Sequence, residues 1–133
     1  MRAEIPVAAP AEARLLHMVF PDHTNHLGTL FGGQALAWMV MAAFIVASRH
    51  ARSTVVTARS EQVDFSHPIH EGDLVEVVAR VVGVGRSSMQ VDVELVNEQL
   101  LTGERKLCTR GRFVMIALDP QGRPAQAPPL AVG

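Results

Sequence analysis

Residues 34–48 read QALAWMVMAAFIVAS, with no charge, no proline and no glycine. Alanine, leucine and methionine favour a helix, and nothing in the run breaks one. A helix opened by Gly32-Gly33 and ending near His50 therefore has no polar face and must be buried nearly all round. That demand restricts the fold, because the rest of a short chain has to wrap the helix. Arg49, His50 and Arg52 gather at its C-terminal end, where positive charge suits the macrodipole.

The flanking segments read as strands. Residues 13–20 (ARLLHMVF) form a first strand, followed by a polar loop at 21–28. After the helix come strand signals at 54–65, 74–82, 89–95 and 106–118. In 89–95 the alternation is clean: Met89, Val91, Val93 and Leu95 face one way, Gln90, Asp92 and Glu94 the other. Gly83 and Gly85 mark the hairpin before it. The expected class is α+β, an antiparallel sheet wrapped around one long central helix. The other sheet face and the open edges would be covered by a second subunit. Residues 1–12 read as an N-terminal extension, 13–119 as the domain, and 120–133 (PQGRPAQAPPLAVG) as a Pro-rich tail.

Composition excludes several functions. The 133 residues fit one domain, and 48% hydrophobic against 19% charged residues is globular. A net charge of −1 without long like-charge runs argues against broad nucleic-acid binding. The single cysteine, Cys108, cannot form an intrachain disulfide and reads as a buried hydrophobe. The N-terminus lacks an apolar signal core, and the longest uncharged apolar run, 35–47, is short for a bilayer. The expectation is a soluble cytoplasmic protein with no membrane partner. The histidines show neither metal-ligand spacing nor a cysteine set, and no G-x-S-x-G elbow is present, so neither a metal nor a nucleophilic serine is expected.

The densest polar constellation is PDHTNHLG at 21–28, followed by Phe31-Gly32-Gly33. Glycines let a backbone approach a ligand, and a helix N-terminus offers free N–H groups to an oxyanion. The same residues also make a plain strand-to-helix turn, and the pattern alone leaves both readings open.

PDHTNHLGTLFGG, VVTARSEQVDFSHPIHEGD, VGRSSMQVDVELV and GRFVMIALDPQGRP, in that order, resemble the acyl-coenzyme A thioesterase branch of the hotdog superfamily, in particular its YciA-like group. The likeness runs from about residue 15 to about residue 124. It implies a hotdog fold, hydrolysis of acyl-coenzyme A with no cofactor, and an active site shared between two subunits of a homodimer that assembles into a trimer of dimers. It also implies that the Gly33 amide, beside Gly32, points at the thioester carbonyl and that Asn25 positions the carbonyl or the attacking water. Arg86, Ser87 and Ser88 would contact the coenzyme A pyrophosphate, with Arg49, His50 and Arg52 as further phosphate partners. The family's general base, an Asp on the partner's helix, would fall at Val40. Valine cannot accept a proton. Asp22, His23, Glu61 and Asp64 are the candidates to replace it, although Glu61 and Asp64 also read as strand-surface residues paired with arginines. Two functions stay open: a thioesterase of weak or lost activity, and a non-catalytic acyl-coenzyme A binder. A hotdog hydratase ranks last, since it needs a His with an acidic partner on the pocket.

Overall fold

The computed structural model describes residues 12–130. The segment 1–11, which holds nearly all of the expected N-terminal extension, and residues 131–133 lie outside the described residues. The elements are β1 (Glu12–Met18), α1 (Gly32–Ala51), β2 (Thr54–Phe65), β3 (Leu74–Val84), β4 (Ser88–Glu98) and β5 (Arg105–Leu118), with a short 3₁₀ turn at Pro21–His23. All strand pairings are antiparallel, in the order β1-β3-β4-β5-β2. The chain therefore crosses from one edge of the sheet, β2, to the far side at β3.

α1 packs against all five strands. Met39, Ala42, Ala43, Val46 and Ala47 are fully buried on it, against the fully buried Met89, Val91, Val93 and Leu95 of β4 and Phe113 and Met115 of β5. The β4 alternation is thus the core pattern it was expected to be. Gly111 of β5 lies where the helix comes nearest: a Cβ there would meet Val63 Cγ2 at 3.1 Å and Met39 Cε at 3.2 Å. By length and composition α1 could cross a membrane, but its sheet-facing side makes it the core helix of this domain.

Three expectations need correction. One sheet covers only one side of a helix, so α1 is not buried all round within one chain: Leu36, Ala37, Met41 and Phe44 are exposed and Val40 is half-buried. The outer sheet face does not demand a covering subunit, because it carries ion pairs that are stable in water. Arg14 and Arg105 both bond Glu76, Arg105 also bonds Glu98, and Arg112 makes two hydrogen bonds to Asp92. Gly83 lies inside β3, at a register shift between Val81 and Gly83, and the hairpin closes two residues later with the Gly85 N–H donating to Ser88 O. Cys108 is buried, and burial pushes its thiol pKa up.

After β5 the chain makes a tight turn: the Asp119 carboxylate accepts from Gln121 N and Arg123 N, both at 2.9 Å. It then folds back, with a bridge between Leu118 and Pro124. The Pro-rich segment makes no further strand, as expected, yet Ala127 is buried against the body.

Candidate active site

The loop before α1 is held by Asn25. Its Oδ1 accepts hydrogen bonds from Leu27 N (2.9 Å), Thr29 N (3.3 Å) and Thr29 Oγ1 (3.1 Å). Backbone N–H groups can only donate, so the atom facing them must be the oxygen. The Asn25 Nδ2 group is left without a partner among the described residues, free to donate. Gly28 sits in the left-handed region at φ 75° within this turn. The Leu30 N–H donates to Ile69 O and the Phe31 N–H to His23 O, which fixes the approach to the helix.

Phe31 is the N-cap, with an exposed ring and no side-chain hydrogen bond to the helix. The N–H groups of Gln34 and Ala35 both turn back to Phe31 O. The N–H groups of Gly32 and Gly33 have no acceptor among the described residues, and both residues are exposed. A Cβ at Gly33 would lie 2.6 Å from Phe31 Cε1, so only glycine lets that ring rest where it does. The free amides at the positive end of the helix form a site for developing negative charge.

An open apolar groove of about 590 Å³ starts at Gly33 and follows the uncovered stripe of α1: Leu36, Ala37, Val40, Met41 and Phe44, with Thr57 of β2 opposite. Gly33 and Val40 of the same chain thus line one groove, whereas the resemblance implied that position 40 faces Gly33 of the partner subunit. Thr57, unremarked in the sequence, is the one side chain lining it that carries an O–H. Nothing in the sequence set it apart from Thr54 of the same strand, and its Oγ1 lies 3.5 Å from Met115 Sδ. No ionisable side chain lines this groove.

The four candidate replacement bases are elsewhere. His23 accepts from Phe20 N through Nδ1 at 3.0 Å and sets its ring edge-on to Trp38 at 5.1 Å. The other aromatic contact of Trp38 is His17, stacked at 4.4 Å with 4° between planes. His17 Nε2 is buried without a partner among the described residues. Burial, and then the neighbouring His23, hold the His17 pKa below the ordinary histidine value. Asp22 is exposed on the 3₁₀ turn. Glu61 pairs with Arg59 at 2.9 Å, and Asp64 stands in register with Arg110 on the neighbouring strand.

Arg86, Ser87 and Ser88 form the β3–β4 turn. Arg86 is exposed and makes no ion pair among the described residues; with Ser87 it lines a shallow groove of about 410 Å³ against Pro124, Ala125 and Gln126. At the helix end, Arg49 is half-buried and free of ion pairs among the described residues. Arg52 is the left-handed C-cap, and His50 Nε2–H donates to Pro128 O at 2.8 Å. The chain after Pro124 ties Arg86 to this helix end, and Gly33 lies at the other end of α1, about 25 Å from His50 along the axis at ~1.5 Å per residue. One chain does not bring the two halves of the expected site together.

The thioesterase superfamily model matches residues 27–104. A curated relative, the uncharacterized acyl-CoA thioester hydrolase YkhA of Bacillus subtilis, is 43% identical over 83% of this chain; the chain spans 64% of that relative's length. The acyl-CoA thioester hydrolase YciA of Escherichia coli is 32% identical over 84% of this chain and 86% of its own. Among solved structures, the acyl-CoA hydrolase of Staphylococcus aureus, in complex with butyryl coenzyme A and coenzyme A, superposes with a TM-score of 0.87 at 36% identity, covering 90% of this chain and 73% of that one. It has also been solved as alanine variants of an aspartate, a threonine and an asparagine. An apo-hexameric acyl-CoA thioesterase superposes with a TM-score of 0.90 at 40% identity, covering 97% of this chain and 82% of that one.

Proposed function

The chain belongs to the thioesterase superfamily, with the hotdog fold, and from that premise we propose that it acts on acyl-coenzyme A thioesters, releasing free acid and coenzyme A with weak activity and without a cofactor. One observation carries the reading. The asparagine, aspartate and threonine replaced in the S. aureus variants stand at positions 28, 43 and 60 of that chain. Asn25, Val40 and Thr57 repeat those spacings, and Gly33, Val40 and Thr57 line one groove here.

The roles are those the family likeness implies, and the geometry supports them. The Gly33 amide, with Gly32 beside it, stabilises the oxyanion that forms when water attacks the thioester carbon. Asn25 has committed its oxygen to the loop, so it serves as a donor through Nδ2, polarising the carbonyl rather than activating water. Val40 occupies the position of the general base, whose absence costs roughly 10²–10⁴-fold in rate. Arg86, Ser87, Ser88 and Arg49 hold the coenzyme A phosphates. Since Arg86 and Gly33 lie at opposite ends of α1, the nucleotide on one subunit serves the chemistry of another. The unit is a homodimer, assembling to a trimer of dimers, in line with the hexameric relative. A buried, unbridged Cys108 suits a reducing cytoplasm.

A second reading is favoured by the absence of any ionisable group in the groove: the same fold binds acyl-coenzyme A without turning it over. Thiol release from a panel of acyl-coenzyme A esters, run beside calorimetry with coenzyme A, separates the two. Turnover supports the enzyme, and binding without turnover supports the binder. Neither turnover nor binding would defeat both.

A further inference from the structure

The Pro-rich segment after β5 is fastened at three points. Ala125 N–H donates to Ala117 O at 2.8 Å, Ala127 N–H to Arg86 O at 2.9 Å, and His50 Nε2–H to Pro128 O at 2.8 Å. The segment thus runs from the end of β5, past the β3–β4 turn, to the C-terminal end of α1. It forms one wall of two shallow grooves that flank that turn, and Gln126, exposed, lines both.

His50 is an odd residue for its place. It is buried, and its Nδ1 has no partner among the described residues. A buried imidazole with one nitrogen unmet is a poorer core residue than an apolar side chain of similar size. What it contributes is the bond to Pro128. The strap in turn holds the main chain of Arg86, while the guanidinium of Arg86 stays free among the described residues. A loop whose backbone is fixed in advance spares a ligand the cost of ordering it.

We infer that residues 124–130 are a fixed strap forming the second wall of the nucleotide end of the coenzyme A site, with Gln126 facing the ligand and His50 a positioning residue that acts through Pro128 and Ala127 on the Arg86 turn. The inference rests on the reading that this turn holds coenzyme A.

The test is a double-mutant cycle on coenzyme A affinity in the full chain, by calorimetry. Arg86→Ala alone should weaken binding. His50→Leu should weaken it about fivefold to tenfold, the worth of one lost hydrogen bond. His50→Gln keeps a donor at the ε position and should stay within about twofold. The Arg86→Ala/His50→Leu pair should lose less than the two singles added, because the strap acts through Arg86. A merely structural His50 would lower the melting temperature and leave the cycle additive. Additive losses, or equal affinity in His50→Leu and the unmodified protein, overturn the strap with the coenzyme A reading intact. No effect of Arg86→Ala removes that reading and the strap with it. Should His50→Leu fail to fold, Ala127→Pro, which removes the N–H donated to Arg86 O while adding a ring at a buried position, takes its place in the cycle with its melting temperature measured alongside.

Discussion

Val40 stands two helical turns from Gly33 on the uncovered stripe of α1, half-buried beside Thr57. Val40→Asp would put a carboxylate in the same groove as the free glycine amides. Thioester turnover should rise by about 10²-fold or more. An Asp there is poorly solvated, so its pKa should rise and the melting temperature should fall. Turnover and melting temperature measured together are decisive: a folded variant with unchanged, negligible turnover means position 40 is not the vacated site. His17 makes a second residue-level prediction. Its folded pKa lies below the unfolded value of 6.5, through burial first and then His23. The unfolded chain therefore takes up the proton first. The contribution is complete above the unfolded pKa and is lost as pH falls from there toward the folded pKa. The melting temperature should drop as pH falls through the unfolded value of 6.5, and His17→Leu should flatten that slope. An unchanged slope would clear His17. Asn25 and Gly33 were legible as candidates from the loop–Gly-Gly pattern and the resemblance. Thr57 was not, because a lone threonine in a strand is common and only the groove singles it out.

At the scale of elements, β4 was readable because its side chains alternate between core and the ion-paired outer face, and β2 because its valine- and threonine-rich run is bounded by turns. Gly83 was misread for a physical reason: a bulge and a turn both favour glycine, and only the register tells them apart. The path from β2 to the far side of the sheet was equally invisible, since strand order depends on which edges the helix leaves open. The tail was read as a Pro-rich extension because prolines cannot join a ladder; backbone and imidazole donors tie residues 125–128 to the body. The close approach of α1 to β5 is testable at Gly111. A Cβ there would meet Val63 and Met39 near 3.1–3.2 Å. Met39 can bend its terminal methyl away, but the β-branched Val63 cannot yield as easily. Gly111→Ala should therefore destabilise the fold by about 1–2 kcal/mol, read as a lower urea midpoint with the slope unchanged. A midpoint at or above that of the unmodified protein would mean the helix has room to lift.

The whole molecule leaves two things unfinished, and they lie side by side. β2 is an edge strand of 12 residues that pairs with β5 on one side only. Next to it runs the apolar stripe of α1, where Met41 is 54% exposed and Phe44 44%. An open edge beside an apolar groove is a surface that monomers do not keep. A second copy meeting β2 and α1 would close the edge and cover the stripe. It would also bring a partner's helix to the groove, beside Gly33, while Arg86 lies toward the other end of α1. The unmodified protein should therefore sediment as a dimer or a higher multiple at micromolar concentration. Phe44→Glu places a charge at the end of the stripe nearer His50, about 9 Å along the helix from that residue. It should shift the protein toward monomer, and turnover should fall with the dimer fraction while the Arg86 turn itself stays intact. If Phe44→Glu stays fully dimeric, the stripe is not the interface. If the unmodified chain is a stable monomer that still turns over acyl-coenzyme A, the site is complete within one chain and the two-subunit reading is wrong.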